Sequence, residues 1–320
     1  MESRACSYIS ESLAYSMLHH GVSRDSGPLT FHPKPPLQRP DASATLVRSR
    51  RSMASEANPA DAEGKQRRLV SETEEDLAVA LAKYTAELSD KYARERGAFT
   101  VVLSGGYLIH SIRKLVESPY KESVDWAKWH VFWVDERVVK KDHVDSNYKL
   151  AYDGFLSKVP IPRSQVYSIN DSLSAEGAAD DYEACLKQLV ETGVLEVLAS
   201  TGFPRFDLML LGMGPDGHIA SLFPGHPLLK ENKRWVTYIK DSPKPPPQRI
   251  TFTFPVIDAS AYIAMVVAGS GEVDAVKKAL GCKDSSSDLL PVQMVSLEDG
   301  EFTWFTDKEA VSKLQNKASP

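Results

Sequence analysis

The chain has 320 residues, 42% of them apolar and 25% charged, with a formal charge of −5 at pH 7; that is enough to bury a substantial core as one large domain or two small ones. The acidic balance gives no reason to expect bulk attraction to nucleic acid, so any phosphate binding must be local. No apolar run reaches the roughly eighteen residues of a membrane-spanning helix, and Cys6, Cys185 and Cys282 are odd in number and far apart, which points to neither a disulfide framework nor a zinc site and fits a reducing compartment.

Residues 1 to 66 are rich in Ser, Pro and Arg, with acids limited to Glu2, Glu11, Asp25 and Asp41 through the first fifty. With His32-Pro33-Lys34-Pro35-Pro36 and the basic cluster Arg48, Arg50 and Arg51, this composition predicts a disordered extension, either a transit peptide or an ordinary tail. Met53 opens an acidic, Ala-rich stretch and is a candidate start for a shorter, unaddressed product. The terminal Lys317-Ala318-Ser319-Pro320 is not a peroxisomal tripeptide.

Residues 67 to 320 carry the periodicities of a folded domain. Ser71 and Glu74 have the spacing of a capping box, and Leu77, Ala80, Leu81, Tyr84, Leu88 and Tyr92 then recur at helical spacing up to Gly97. Phe99-Thr-Val-Val-Leu103 is too short for a helix and predicts a strand, followed by the turn Ser104-Gly105-Gly106 and a helix over Leu108, Ile109, Ile112 and Leu115. The alternation returns with His130 to Val134 before a polar loop and a Tyr148 to Phe155 helix, and with Phe206 to Leu211 before a glycine loop. Ile250 to Phe254 and Ala261 to Ala268 predict two more strands, and Glu272 to Leu280 a helix that Gly281 can end. Such alternation predicts an α/β fold with a largely parallel, Rossmann-like sheet covered by helices on both faces. Ligands of such sheets sit beyond the carboxyl ends of the strands.

Three loops follow predicted strands. In Ser104-Gly105-Gly106, paired glycines allow backbone N–H groups to approach an oxyanion near a helix start; a structural turn needing positive φ explains the pair equally. No Gly-Lys-Ser/Thr follows, so the loop is not a P-loop. Asp135-Glu136-Arg137 precedes Asp145-Ser146-Asn147 by about ten residues. Arg137 offers a fork of donors for a carboxylate, a phosphate or a developing oxyanion, although a charged cluster that merely ends a strand is the plainer alternative. Leu211 to Gly225 contains Gly212-x-Gly214-x-x-Gly217, which superficially matches a dinucleotide fingerprint. Pro215 and Asp216 interrupt the point where the helix would open, and no second strand ends in an acid at the expected distance. What remains is His218 in a glycine-rich turn, able to take a proton from water, with Asp216 placed to orient it; the alternative is a structural histidine. The chain has no Gly-x-Ser-x-Gly elbow and no HExxH. General-base activation of water is the route these observations leave.

Together, Leu103-Ser-Gly-Gly106, Trp133-Val-Asp-Glu-Arg137 with Ser146-Asn147, and Gly212-Met-Gly-Pro-Asp-Gly-His218 through Ser-Leu-Phe-Pro-Gly225 resemble the 6-phosphogluconolactonases, in order and spacing from about Val70 onward. The resemblance implies the fold shared with glucosamine-6-phosphate isomerases. It also implies hydrolysis of 6-phospho-D-glucono-1,5-lactone, the second step of the oxidative pentose phosphate pathway, without metal or organic cofactor. It further implies catalysis by His218, Arg137 and Asp216, and substrate contacts from Ser104, Gly105, Gly106, Asp135, Gly214, Lys244 and Arg249, the last two toward the phosphate.

The extension and the Asp241-Ser-Pro-Lys-Pro-Pro-Pro-Gln-Arg-Ile250 segment are similar to plant plastid members, which implies the chloroplast stroma, or the cytoplasm for a product starting at Met53. The expected partner is a phosphorylated sugar lactone, met by a monomer, with no nucleic acid and no membrane. One departure is Tyr107-Leu108-Ile109, where many members carry Ser/Arg-Thr-Pro after the two glycines. Rival readings are a glucosamine-6-phosphate deaminase, which typically shows Asp-Glu-Tyr where this chain has Asp135-Glu136-Arg137, and a sugar-phosphate sensor without turnover.

Overall fold

A short apolar run with both faces covered is the natural centre of a sheet, and β2 (Phe99–Leu103) is one, with all five residues buried. In the computed structural model, which describes residues 66–281 and 288–314, β2 lies between β3 (Trp129–Trp133) and β7 (Leu208–Gly212). Beyond β7 come β10 (Tyr262–Val267), β11 (Glu301–Asp307) and the edge strand β1 (Gln66–Ser71), giving a six-stranded sheet in the order β1-β11-β10-β7-β2-β3. Every pairing is parallel.

Alternation along these strands divides the core in two. Val102, Met209, Leu211, Ile263 and Met265 face one apolar cluster, which α5 (Ala175–Glu191) and α7 (Val273–Leu280) help to cover. Val101, Leu103, Leu210 and Ala264 face the other, against α1 (Glu74–Arg96) and the elements α2 (Leu108–Ser111) and α4 (Asn147–Gly154). A sheet buried on both faces favours apolar residues at nearly every position, which is why these strands lack a regular polar alternation. The remaining helical turns are α3 (Tyr120–Ser123), α6 (Phe254–Asp258) and α8 (Pro291–Met294). No helix of the described residues is long and apolar enough to cross a membrane.

A second, antiparallel sheet stands beside the first. It joins β4 (Asp135–Arg137), β9 (Arg249–Phe252) and β8 (Val236–Ile239) in the order β4-β9-β8. A two-residue pair, β5 (Glu196–Val197) and β6 (Pro204–Arg205), closes a loop elsewhere.

Several sequence expectations change here. The strand expected over Ile250 to Phe254 belongs to the antiparallel sheet and ends at Phe252, with Thr253 at the N-cap of α6, which Phe254 opens; Asp135-Glu136-Arg137 is itself a strand of that sheet, and its backbone pairs with β9, a partnership no local pattern announces. Thr73, not Ser71, caps α1: its Oγ1 accepts from Asp76 N at 3.2 Å, while Ser71 is held extended opposite Asp307. The helix after Gly106 is a single turn, α2, followed by a 3₁₀ turn over Arg113–Val116. The N-terminal extension with Met53 and the basic cluster, Cys6, Cys282 and the last four residues lie outside the described residues.

Candidate active site

The carboxyl ends of β2, β7 and β10 and the antiparallel β4 and β9 meet around a cleft of about 230 Å³, lined among others by Ser104, Gly105, Gly106, Asp135, Arg137, Gly214, His218 and Arg249. Its place beyond the strand ends, where the connections leaving the neighbours β2 and β7 run in opposite directions, is where an open parallel sheet receives ligands. All three loops singled out in the sequence converge on it.

The first wall is the turn after β2. Ser104 Oγ accepts from Gly212 N at 2.9 Å and Ser104 N donates to Leu210 O at 3.0 Å, so this serine stitches β2 to β7. Gly106 adopts φ 67°, and a Cβ on Gly105 would lie 1.9 Å from Asn147 Oδ1, so both positions require glycine. Among the described residues, the N–H groups of Gly105, Gly106 and Tyr107 meet no protein acceptor. Three free donors on one turn form a concavity suited to an anion. With only one helical turn behind them, the local N–H groups contribute more than any macrodipole, whose effect is confined to the ends of a helix.

The second wall is the turn after β7. His218 Nδ1 lies 2.5 Å from Asp216 Oδ1, and Lys244 Nζ lies 3.1 Å from the same oxygen. A carboxylate this close fixes the proton on Nδ1, which leaves Nε2 as the basic nitrogen. Burial pushes the imidazole below its ordinary 6.5, against the pull of the Asp216 carboxylate, and the Lys244 charge adds to the lowering. Burial opposes the charged form of Asp216 too, but its bonds to His218 and Lys244 prevail and hold the carboxyl below its ordinary value. A Cβ on Gly214 would lie 2.1 Å from His218 Cε1, so the imidazole is seated on a bare backbone. Ala220, at φ 51°, shows how tightly this turn is wound.

The third wall is polar and buried. Arg137 and Arg249 lie directly opposite one another on β4 and β9. Like charges in that register are unfavourable unless an anion lies between or beside them. Arg249 is 2% exposed. It donates from Nε to Pro246 O at 3.0 Å and from Nη2 to Lys244 O at 2.8 Å and Pro245 O at 3.1 Å. Burial, and then the charge of Arg137, press its pKa downward. Arg137 donates from Nη1 to Asp145 O at 2.9 Å, while its buried Nε has no partner among the described residues. It therefore has donors to spare for a ligand.

Glu136, noted in the sequence only as a neighbour of Arg137, organises this wall. Its carboxylate, 2% exposed, accepts from the backbone N–H of Arg137 (2.7 Å), Asn147 (2.8 Å) and Tyr148 (2.8 Å) and from Ser146 Oγ (3.2 Å). Burial pushes its carboxyl up to about 7 against these bonds. Asn147 in turn donates to Asp135 O at 3.0 Å, and Asp135 Oδ2 accepts from Ser221 Oγ at 2.7 Å. Glu272 also lines the cleft. Sequence reasoning passed over it, although it follows β10 and Gly269-Ser-Gly271, the same strand, glycine, helix order that marked Ser104 to Gly106. The Tyr107 ring lines the cleft, with its hydroxyl bonded to Glu74. Lys244 and Asp216 both stand on the Nδ1 side of His218.

Comparisons agree with this architecture. Residues 72–304 match the family described as glucosamine-6-phosphate isomerases/6-phosphogluconolactonase. Over 249 residues the chain is 78% identical to a rice (Oryza sativa subsp. indica) protein named "Probable 6-phosphogluconolactonase 4, chloroplastic", covering 78% of this chain and 77% of that one. It is 65% identical over 252 residues to "6-phosphogluconolactonase 3, chloroplastic" of Arabidopsis thaliana, covering 79% and 76%. The solved structure of 6-phosphogluconolactonase from Trypanosoma brucei superposes with a TM-score of 0.66 at 25% identity, covering 78% of this chain and 99% of that one.

Proposed function

The chain belongs to the glucosamine-6-phosphate isomerase/6-phosphogluconolactonase family, and on that premise we propose that it hydrolyses 6-phospho-D-glucono-1,5-lactone to 6-phosphogluconate with His218 as general base. The observation that carries the mechanism is the orientation of the imidazole: Nδ1–H is committed to Asp216, which leaves Nε2 as the basic nitrogen of a residue that lines the cleft. Nε2 takes a proton from water, and the hydroxide adds to the lactone carbonyl. Arg137, with a free buried Nε, meets the oxyanion as it forms. Collapse of the tetrahedral adduct breaks the bond to the ring oxygen, and the imidazolium returns its proton to that oxygen. The open-chain acid is left.

The phosphate is assigned to the turn opened by Ser104, at the unpaired N–H groups of Gly105, Gly106 and Tyr107, and to the charge of Arg249, with Asp135 and Gly214 shaping the floor. Where deaminases typically carry Asp-Glu-Tyr, this chain has Arg137, a cation aimed at the chemistry of an ester. Action as a monomer is part of this proposal. The plastid names of its relatives and the Arg-rich composition of residues 1 to 66 support import into the chloroplast stroma, with a cytoplasmic product if translation starts at Met53. The deciding experiment is lactone hydrolysis by the chain from Met53, corrected for spontaneous ring opening. Turnover above background establishes the activity and the dispensability of residues 1 to 52; a folded protein that binds the sugar phosphate without turnover overturns the reading.

A further inference from the structure

The resemblance implies that Lys244 meets the phosphate; in the structure its ammonium meets Asp216 beside His218. Nζ lies 3.1 Å from Asp216 Oδ1 and 3.4 Å from His218 Nδ1. Since Nδ1–H points at Asp216, the ammonium and the imidazole are two donors sharing one carboxylate oxygen.

The backbone that delivers this lysine is fastened with unusual care for a surface segment. Ser242 Oγ donates to Lys244 O at 2.8 Å and accepts from Lys244 N at 3.3 Å. Ser242 N donates to Pro247 O at 3.1 Å, closing the segment on itself. From beneath, the buried Arg249 guanidinium grips the carbonyls of Lys244, Pro245 and Pro246. A lysine that only meets a phosphate acts as a point charge on a flexible stem and needs no such fastening. One that must hold a particular oxygen against a particular nitrogen does.

We propose that Lys244 is a positioning residue of the hydrolytic site: its ammonium clamps the Asp216 carboxylate against His218 Nδ1. The proposal rests on His218 being the base. The charged groups that face the imidazole are Asp216 on its own turn, Lys244 from the segment before β9, and Asp135 from β4. Glu272, at the start of α7, faces Lys244 in turn, while Arg137 and Arg249 line the same cleft from the antiparallel sheet. Asp216 and Asp135 favour the imidazolium and Lys244 opposes it. Removing the lysine cation therefore makes the imidazole easier to protonate, and removing the Asp216 carboxylate makes it harder.

The test compares the pH dependence of kcat for the wild type, Lys244→Met, Lys244→Arg, Asp216→Asn and His218→Ala on one substrate, 6-phospho-D-glucono-1,5-lactone, so that titration of its phosphate is common to all. Lys244→Met is expected to move the acidic limb to higher pH by about one unit and to lower kcat about tenfold, with KM little changed. Lys244→Arg should restore most of the limb position because the charge is kept. Asp216→Asn should move the limb the opposite way. An unmoved limb in Lys244→Met, with the loss confined to KM, overturns the proposal and returns Lys244 to the phosphate. Near-full kcat in folded His218→Ala removes the base itself, an outcome distinct from failure of Lys244 alone.

Discussion

The two sheets solve opposite problems with similar means. The parallel sheet buries strands such as Phe99–Leu103, whose apolar residues need no partners beyond packing and the ladder. The antiparallel sheet buries Asp135, Glu136 and Arg249, each of which must find hydrogen bonds or pull down the fold. The first therefore serves as a frame that fixes where the loops emerge. The second is made of its own functional groups, so that organising the site and stabilising the strand are one act: Glu136 ties β4 to the start of α4, and Arg249 ties β9 to the segment carrying Lys244. A frame tolerates changes at its edge; a strand built of buried charges does not.

That contrast can be broken first at the edge of the frame. His218→Ala removes a side chain that the parallel sheet merely carries, and is expected to lower kcat about 10²–10⁴-fold, with KM changed far less and the melting temperature nearly unchanged. In the wild type, burial lowers the imidazole pKa, so His218 stays neutral further into acid and activity should fall away below 6.5; a limb well above 6.5 would contradict a buried base. Next comes Arg137→Ala, on the antiparallel side, with an expected loss of about 10²–10³-fold in kcat and the acidic limb retained, because the charge it meets exists only in the transition state.

Gly214→Ala tests the seat of the imidazole. A methyl placed 2.1 Å from His218 Cε1 must displace the ring, and a displacement of an ångström costs up to about 10²-fold in rate. Unaltered kcat in that variant would mean that the ring can shift without consequence. The smallest expected effect is also the one that addresses the second sheet most directly. Glu136→Gln keeps the shape but turns an acceptor toward a donor, so some of the N–H groups of Arg137, Asn147 and Tyr148 lose their partner; the expected destabilisation is about 1–3 kcal/mol by denaturant titration. Stability equal to wild type would show that the antiparallel sheet does not depend on its buried charges as argued.

Local signals were enough for the elements whose cause is local. The runs Phe99–Leu103 and Ala261–Ala268 announced strands because a sheet covered on both faces favours short, largely apolar, β-branched runs, and the pair Gly105-Gly106 announced a tight turn, one because nothing larger fits and the other because its φ is positive. The motifs around Arg137 and His218 placed the cleft at the strand ends before any coordinates, and the comparisons agree with the family they suggested. Partnership was beyond the sequence. A strand spelled Asp-Glu-Arg reads as a polar loop until β9 is set beside it, and β1, whose residues are almost all exposed, has no core-facing pattern and exists only because β11 offers a free edge. The same holds for Glu136, a surface charge by composition and a buried cap in the fold, and for Lys244, whose charge was visible but whose direction is set by the grip of Arg249 on the carbonyls around it. Residue types and spacing determined which chemistry the chain carries; long-range pairing of backbone and buried charge decided which groups hold each other in place, because those bonds join residues that no sequence window contains together.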